Sequence, residues 1–107
     1  MPHIDVDILA PFADGYMEGR SLTPAERTEV LRLAQGYACK DSAAAAGISP
    51  ETIRARRKRI YRKLDVPGSG ALIAALLSHA LRMLERGATL QPRASVDVAL
   101  PERRLGP

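Results

Sequence analysis

Residues 40–64 read KDSAAAAGISPETIRARRKRIYRKL, and the fold turns on them. Four consecutive alanines favour helix strongly, and Gly47 adopts at little cost the left-handed backbone that ends one, which predicts a short helix over about 40–46. Ser49 is a good N-cap and Pro50 suits the first helical position, where its missing N–H is harmless, so a longer helix is expected over about 50–64. Within it Ile53, Ile60 and Leu64 recur at +7 and +4 as a buried stripe, and Pro67 lies just past the end. A short helix, a glycine-containing turn and a longer helix make the helix-turn-helix unit that enters a DNA major groove. With the stripe facing inward, Arg54, Ala55, Lys58 and Tyr61 or Arg62 share another face and point outward, with Arg57 and Arg59 towards the flanks.

Charge marks the same segment. Residues 49–64 hold seven basic side chains (Arg54, Arg56, Arg57, Lys58, Arg59, Arg62, Lys63) and one acid, Glu51, whereas the other 91 residues hold nine basic and eleven acidic groups. The net charge of +4 is therefore the work of one local object. Like charges at i,i+4 on a helix repel, so such a run is either a solvated face or the partner of an anion, and a polyanion is the natural candidate.

Working outward, SLTPAERTEVLRLAQG at 21–36 opens with Thr23 as N-cap, Pro24 at the first helical position and Glu26 completing a Thr-x-x-Glu capping box. A helix over about 24–35 follows, with Val30, Leu31, Leu33 and Ala34 as its apolar face and Gly36 as its C-terminal cap. Downstream, Gly68, Ser69 and Gly70 break the chain before a helix over about 71–86. That helix carries two apolar stripes, Ile73, Leu77, Ala80 and Leu84, and Leu72, Leu76, His79 and Met83. One stripe suffices for a small core, so the second calls for another helix: the twin helix of a second subunit, or the N-terminal segment. The expected dimer contacts are Ile73, Leu76, Leu77, Ala80 and Leu84. In residues 1–20, Leu9, Phe12, Ala13 and Tyr16 fall at helical spacing, which allows a short helix near 7–18 if Pro11 sits in its first turn. Residues 88–107 contain Pro92, Pro101 and Pro107 without helical period and are read as an extended or disordered tail.

Composition narrows the function classes. A chain of 107 residues is expected to form one core, and its four aromatics (Phe12, Tyr16, Tyr37, Tyr61) point to closely packed, alanine-rich helices rather than a sandwich of sheets. The single Cys39 excludes an internal disulfide and a thiolate zinc cluster, and with no basic leader or long apolar run the expected setting is the cytoplasm, with no membrane. His3 and His79 stand far apart, Cys39 has no base beside it in sequence, and Gly68-Ser69-Gly70 lacks the Gly-Lys-Ser/Thr end of a phosphate loop. An enzyme, a metal site and a bound cofactor are therefore not expected.

The segment LTPAERTEVLRLAQGYACKDSAAAAGISPETIRARRKRIYRKLDV resembles the LuxR/GerE-type helix-turn-helix domain of bacterial transcription regulators. Leu22-Thr23, Glu26, Gly36, Lys40, Gly47-Ile48-Ser49, Thr52-Ile53, Ile60, Lys63-Leu64 and Val66 carry the resemblance, which covers about residues 21–85. It implies an all-α, four-helix domain, placed by the resemblance and the helix ends read above over 21–86, with residues 1–20 left as an N-terminal extension and 87–107 as a flexible tail. It also implies double-stranded DNA as partner, the third helix in the major groove, and commonly a dimer through the last helix. Carried over by position, the base-reading side chains are Arg54, Ala55 and Lys58, and the backbone contacts Lys40, Thr52, Arg56 and Lys63; helical spacing adds Arg62 as a further backbone contact. Arg54 and Lys58 carry donors suited to guanine O6 and N7, and the Ala55 methyl suits a thymine methyl.

Several positions depart from the family. Arg56 stands where many members have His. Ser42 and Ala46 stand where large aliphatics are usual, leaving a thinner core that Leu9 or Phe12 is expected to fill. Val30-Leu31 fall one place late relative to Thr23. Members usually carry a receiver or ligand-binding domain before this module, and the 20 residues here imply a stand-alone member. The expected function is a sequence-specific transcription regulator, a homodimer on a near-palindromic site. The alternative of another class is an interaction protein that pairs with a larger regulator through the fourth helix or N-terminal segment.

Overall fold

The computed structural model describes residues 6–87, with side-chain burial from Ala10 onward. The described residues form five helices and no strand: α1 (Val6–Met17), α2 (Pro24–Gln35), α3 (Cys39–Ala46), α4 (Pro50–Leu64) and α5 (Ser69–Glu85). The architecture is all-α, as the sequence implied, and the tail over 88–107 lies outside the described residues.

Helix boundaries follow local chemistry where that chemistry is strong. The Thr23 hydroxyl accepts from the Glu26 N–H at 3.1 Å while the Glu26 carboxylate accepts from the Thr23 N–H at 3.0 Å, closing the capping box. Gly36, with φ of 94°, ends α2 in the left-handed region. Ser49 caps α4 through the Thr52 N–H at 3.1 Å, and Asp65 ends it at φ of 58°, a role no sequence signal assigned. Helix α5 starts two residues before the expected position: of Gly68, Ser69 and Gly70 only Gly68 lies in the break, and Ser69 and Gly70 belong to the first turn.

Helix α1 departs most from expectation. Pro11 sits at its sixth residue rather than in the first turn. An interior proline costs an isolated helix about 3 kcal/mol. Packing offsets that cost, because Ala10, Phe12, Ala13 and Met17 are all buried. Met17, fully buried and absent from the expected face, belongs with Ala13 to a core that also holds Val30 and Leu33 of α2, Ile60 and Leu64 of α4, and Leu72 and Leu76 of α5.

The N-terminal segment thus covers part of α5. Tyr16 meets His79 with ring centroids 6.2 Å apart, and the Arg20 guanidinium lies 5.1 Å from the Tyr16 ring centre. The stripe that began at Leu72 and Leu76 is taken up by the core, while Ile73 and Leu77 of the other stripe, with Leu81, stay exposed.

The thin core at α3 is filled from a different direction than expected. Ser42 is fully buried and its hydroxyl donates to Glu29 Oε1. Arg57 of α4 donates through Nε to Glu29 Oε2 at 2.7 Å and through Nη2 to the Tyr37 carbonyl at 2.9 Å. A paired and hydrogen-bonded cluster satisfies its own polar atoms, so it occupies interior space at tolerable desolvation cost. Phe12 instead lines a groove with Ala34, Ile73 and Leu77, and the side chain of Leu9 lies outside the described part.

Candidate nucleic-acid interface

Helix α4 divides into three faces. Ile53, Arg57, Ile60 and Leu64 are buried, at 0%, 8%, 0% and 2% exposure. Arg54, Ala55, Lys58 and Arg62 are exposed and lie together on the outer side. Arg59 and Lys63 lie towards α2, where both meet Glu26, and Arg56 lines a cleft with Arg32 of that helix.

Sorting by partner separates the cations further. Arg57, read from sequence as a flank residue, points inward to Glu29. The Glu26 carboxylate, buried at the start of α2, accepts from Lys63 Nζ at 2.8 Å and lies 3.4 Å from Arg59 Nε. Lys63 also donates to the Ser21 carbonyl at 3.2 Å. Burial alone would raise the Glu26 carboxyl, but the Lys63 ammonium, the Thr23 N–H and the Arg59 guanidinium outweigh it and hold the pKa below its ordinary value. Three of the seven cations therefore tie α4 to α2.

Of the remaining four, Arg54, Lys58 and Arg62 are exposed on the outer side and Arg56 is half-buried. Arg54 reaches only Glu51, at 3.5 Å on the surface, a contact of the kind worth little in water. Among the described residues no acid pairs with Arg56, Lys58 or Arg62, and Lys40, exposed in the first turn of α3, is likewise free. Thr52 is exposed at the α4 N-terminus, its hydroxyl 2.9 Å from that of Ser49. Tyr61 packs its ring against the core, and burial pushes its phenol up.

Of the expected dimer contacts, Ile73 and Leu77 are exposed at 43% and 59%, Ala80 and Leu84 are half-buried, and Leu76 is buried inside the protomer. Leu81, 52% exposed, completes an Ile73, Leu77, Leu81 stripe at i, i+4, i+8. That spacing is present in the sequence, where a 4-3-4 step leads from Leu77 to Ala80 and a plain i+4 step leads to Leu81. Arg32 is a second omission. It sits on α2 with Nη1 3.6 Å from Glu29 Oε1 and lines a cleft with Arg56.

A cationic outer face on the second helix of a helix-turn-helix, braced from behind by two buried carboxylates, is the arrangement of a DNA-binding regulatory module. The chain belongs to the luxR family of bacterial regulatory proteins, which it matches over residues 20–76. It is 38% identical over 64 residues to the transcriptional regulatory protein UhpA of Escherichia coli (strain K12), a match covering 60% of this chain and 32% of that protein. The chain thus spans about a third of the length of that curated relative. No solved structure gives a significant match. Helix α1 lies outside the matched segment. No single described helix is long and apolar enough to cross a membrane.

Proposed function

We propose that this protein is a sequence-specific transcription regulator that lays α4 in the major groove of double-stranded DNA, with residues 21–86 as the binding unit and 1–20 and 87–107 as extensions. The observation that carries the reading is the division of the α4 cations. Three are held by Glu26 and Glu29, while Arg54, Lys58 and Arg62, with Ala55 between them, remain outward and without a buried partner. Arg54, Ala55 and Lys58 read base edges, and Lys40, Thr52, Arg56 and Arg62 contact phosphates. Lys63 joins them by exchanging its contact with Glu26 for a phosphate. The exposed stripe Ile73, Leu77 and Leu81 supports pairing of two copies on a near-palindromic site, with half-sites about 10 bp apart. The cytoplasm is the compartment in which such a protein meets DNA.

The same stripe also favours a second reading, in which α5 engages a larger regulator and modulates it. Selection from a random duplex library at about 150 mM salt, wild type beside Lys58→Ala, separates the two. A two-fold symmetric motif degraded by Lys58→Ala is the expected result. A folded wild type that enriches no sequence overturns the first reading and directs attention to a protein partner.

A further inference from the structure

We propose that the cleft between α2 and the flank of α4 seats a phosphate of the DNA backbone, held by Arg32 together with Arg56. The inference rests on the DNA-binding reading above and adds to it a residue of α2, outside the helix-turn-helix itself. The cleft has a volume of about 290 Å³ and is lined by Ala25, Thr28 and Arg32 of α2, Ala46 and Ile48 at the α3–α4 turn, and Arg56 of α4.

Its charge is unbalanced. Among the described residues no carboxylate lines it, and Glu29, the acid beside Arg32, is committed elsewhere: Oε2 accepts from Arg57 at 2.7 Å and Oε1 from the Ser42 hydroxyl. Arg32 approaches Oε1 only to 3.6 Å, beyond hydrogen-bond reach. Arg32 and Arg57 thus share one carboxylate, and Arg32 also lines the open cleft with Arg56, with which no described acid pairs. Two like charges sharing a cleft repel unless an anion lies between them, and paired guanidinium groups present the planar forks that match phosphate oxygens.

Position supplies the anion's identity. Arg56 stands one turn beyond Thr52 on the same flank, and Ile48 immediately precedes the α4 cap Ser49. The cleft therefore opens beside the N-terminal end of α4, the end that a recognition helix brings to the bases while the phosphates pass along its flanks. Small residues at Ala25 and Ala46 leave the approach open.

The test is the salt dependence of binding to one selected duplex and one random duplex, for wild type, Arg32→Met, Arg32→Lys and Arg56→Met, each checked for cooperative unfolding. Arg32→Met and Arg56→Met are each expected to lower the magnitude of the slope of log K against log salt by about one unit, about a fourfold smaller affinity change between 50 and 200 mM salt, equally on both duplexes. Arg32→Lys, which keeps the charge, should retain the wild-type slope. If wild type binds DNA and Arg62→Met lowers the slope while Arg32→Met does not, the cleft assignment fails and the DNA reading stands. If wild type binds neither duplex, both fail. A rise in unfolding temperature with inorganic phosphate at constant ionic strength, abolished by Arg32→Met, would in that event identify a free anion as the occupant.

Discussion

Adjacent residues on α4 have opposite roles, and the difference is set by which side of the helix each occupies. Arg57 and Lys58 are both cations in one run, yet Arg57 is buried on Glu29 and Lys58 is exposed. Removing Arg57 leaves a buried carboxylate without its main partner, so Arg57→Ala should lower the unfolding free energy by about 3–5 kcal/mol in urea denaturation. Replacing Glu29 and Arg57 together by leucine should recover most of that loss, and a small effect of Arg57→Ala alone would show that the pair does not hold the helix. Lys58→Ala should change stability by less than about 0.5 kcal/mol. Its effect, and that of Arg54→Ala, should appear on DNA as a loss of about 1–3 kcal/mol on the best site, with relaxed preference at one or two bases. Arg62→Ala should instead weaken all sequences alike. Equal losses on specific and random DNA for both groups would remove the distinction between base readers and phosphate contacts.

At the scale of the element, Glu26 joins two functions in one carboxylate. Its side chain closes the capping box that starts α2 and anchors Lys63 and Arg59 of α4. Because its folded pKa lies below the unfolded value of about 4.3, the stabilisation it gives is full above that pH and disappears as pH falls through the folded pKa. Stability should therefore decline on acidification below about pH 4.3, and Glu26→Gln should both lower stability at neutral pH and flatten that decline. An unchanged acid limb in Glu26→Gln, followed by circular dichroism, would assign the acid sensitivity to other carboxylates. Helix α1 shows the opposite balance: its local sequence, with an interior Pro11, is unfavourable, and only the burial of Ala10, Phe12, Ala13 and Met17 sustains it.

On the scale of the whole molecule, α1 and the core take one side of α5 and leave the other open. The groove formed by Phe12, Ala13, Ala34, Ile73, Leu76, Leu77 and Ala80 is almost wholly apolar and adjoins the exposed stripe. In the proposed dimer that stripe is the contact, so Leu77→Glu should give a folded monomer in sedimentation equilibrium and weaken binding to a symmetric site far more than to a half-site. A variant that stays dimeric, or that unfolds, counts against α5 as the dimer surface.

Much of this protein is determined by its sequence alone, because the signals concerned are local. Thr23, Pro24, Glu26 and Gly36 bound α2 within a single turn at each end, Gly47 and Ser49 bound the turn, and Ile53, Ile60 and Leu64 orient α4 by periodicity. The four-helix unit, the family and the outward face of Arg54, Ala55 and Lys58 are legible on that basis. Tertiary structure decided what depends on contacts distant in sequence. Glu29, Ser42 and Arg57 look like surface residues one at a time, and only their meeting across 13 and 28 positions makes each a satisfied interior group. The same meeting removes Arg57 from the cationic face and leaves Arg32 beside Arg56. Likewise, α1 exists as a helix because α2 and α5 give its apolar residues somewhere to be buried, a gain in free energy that no window of its own sequence contains.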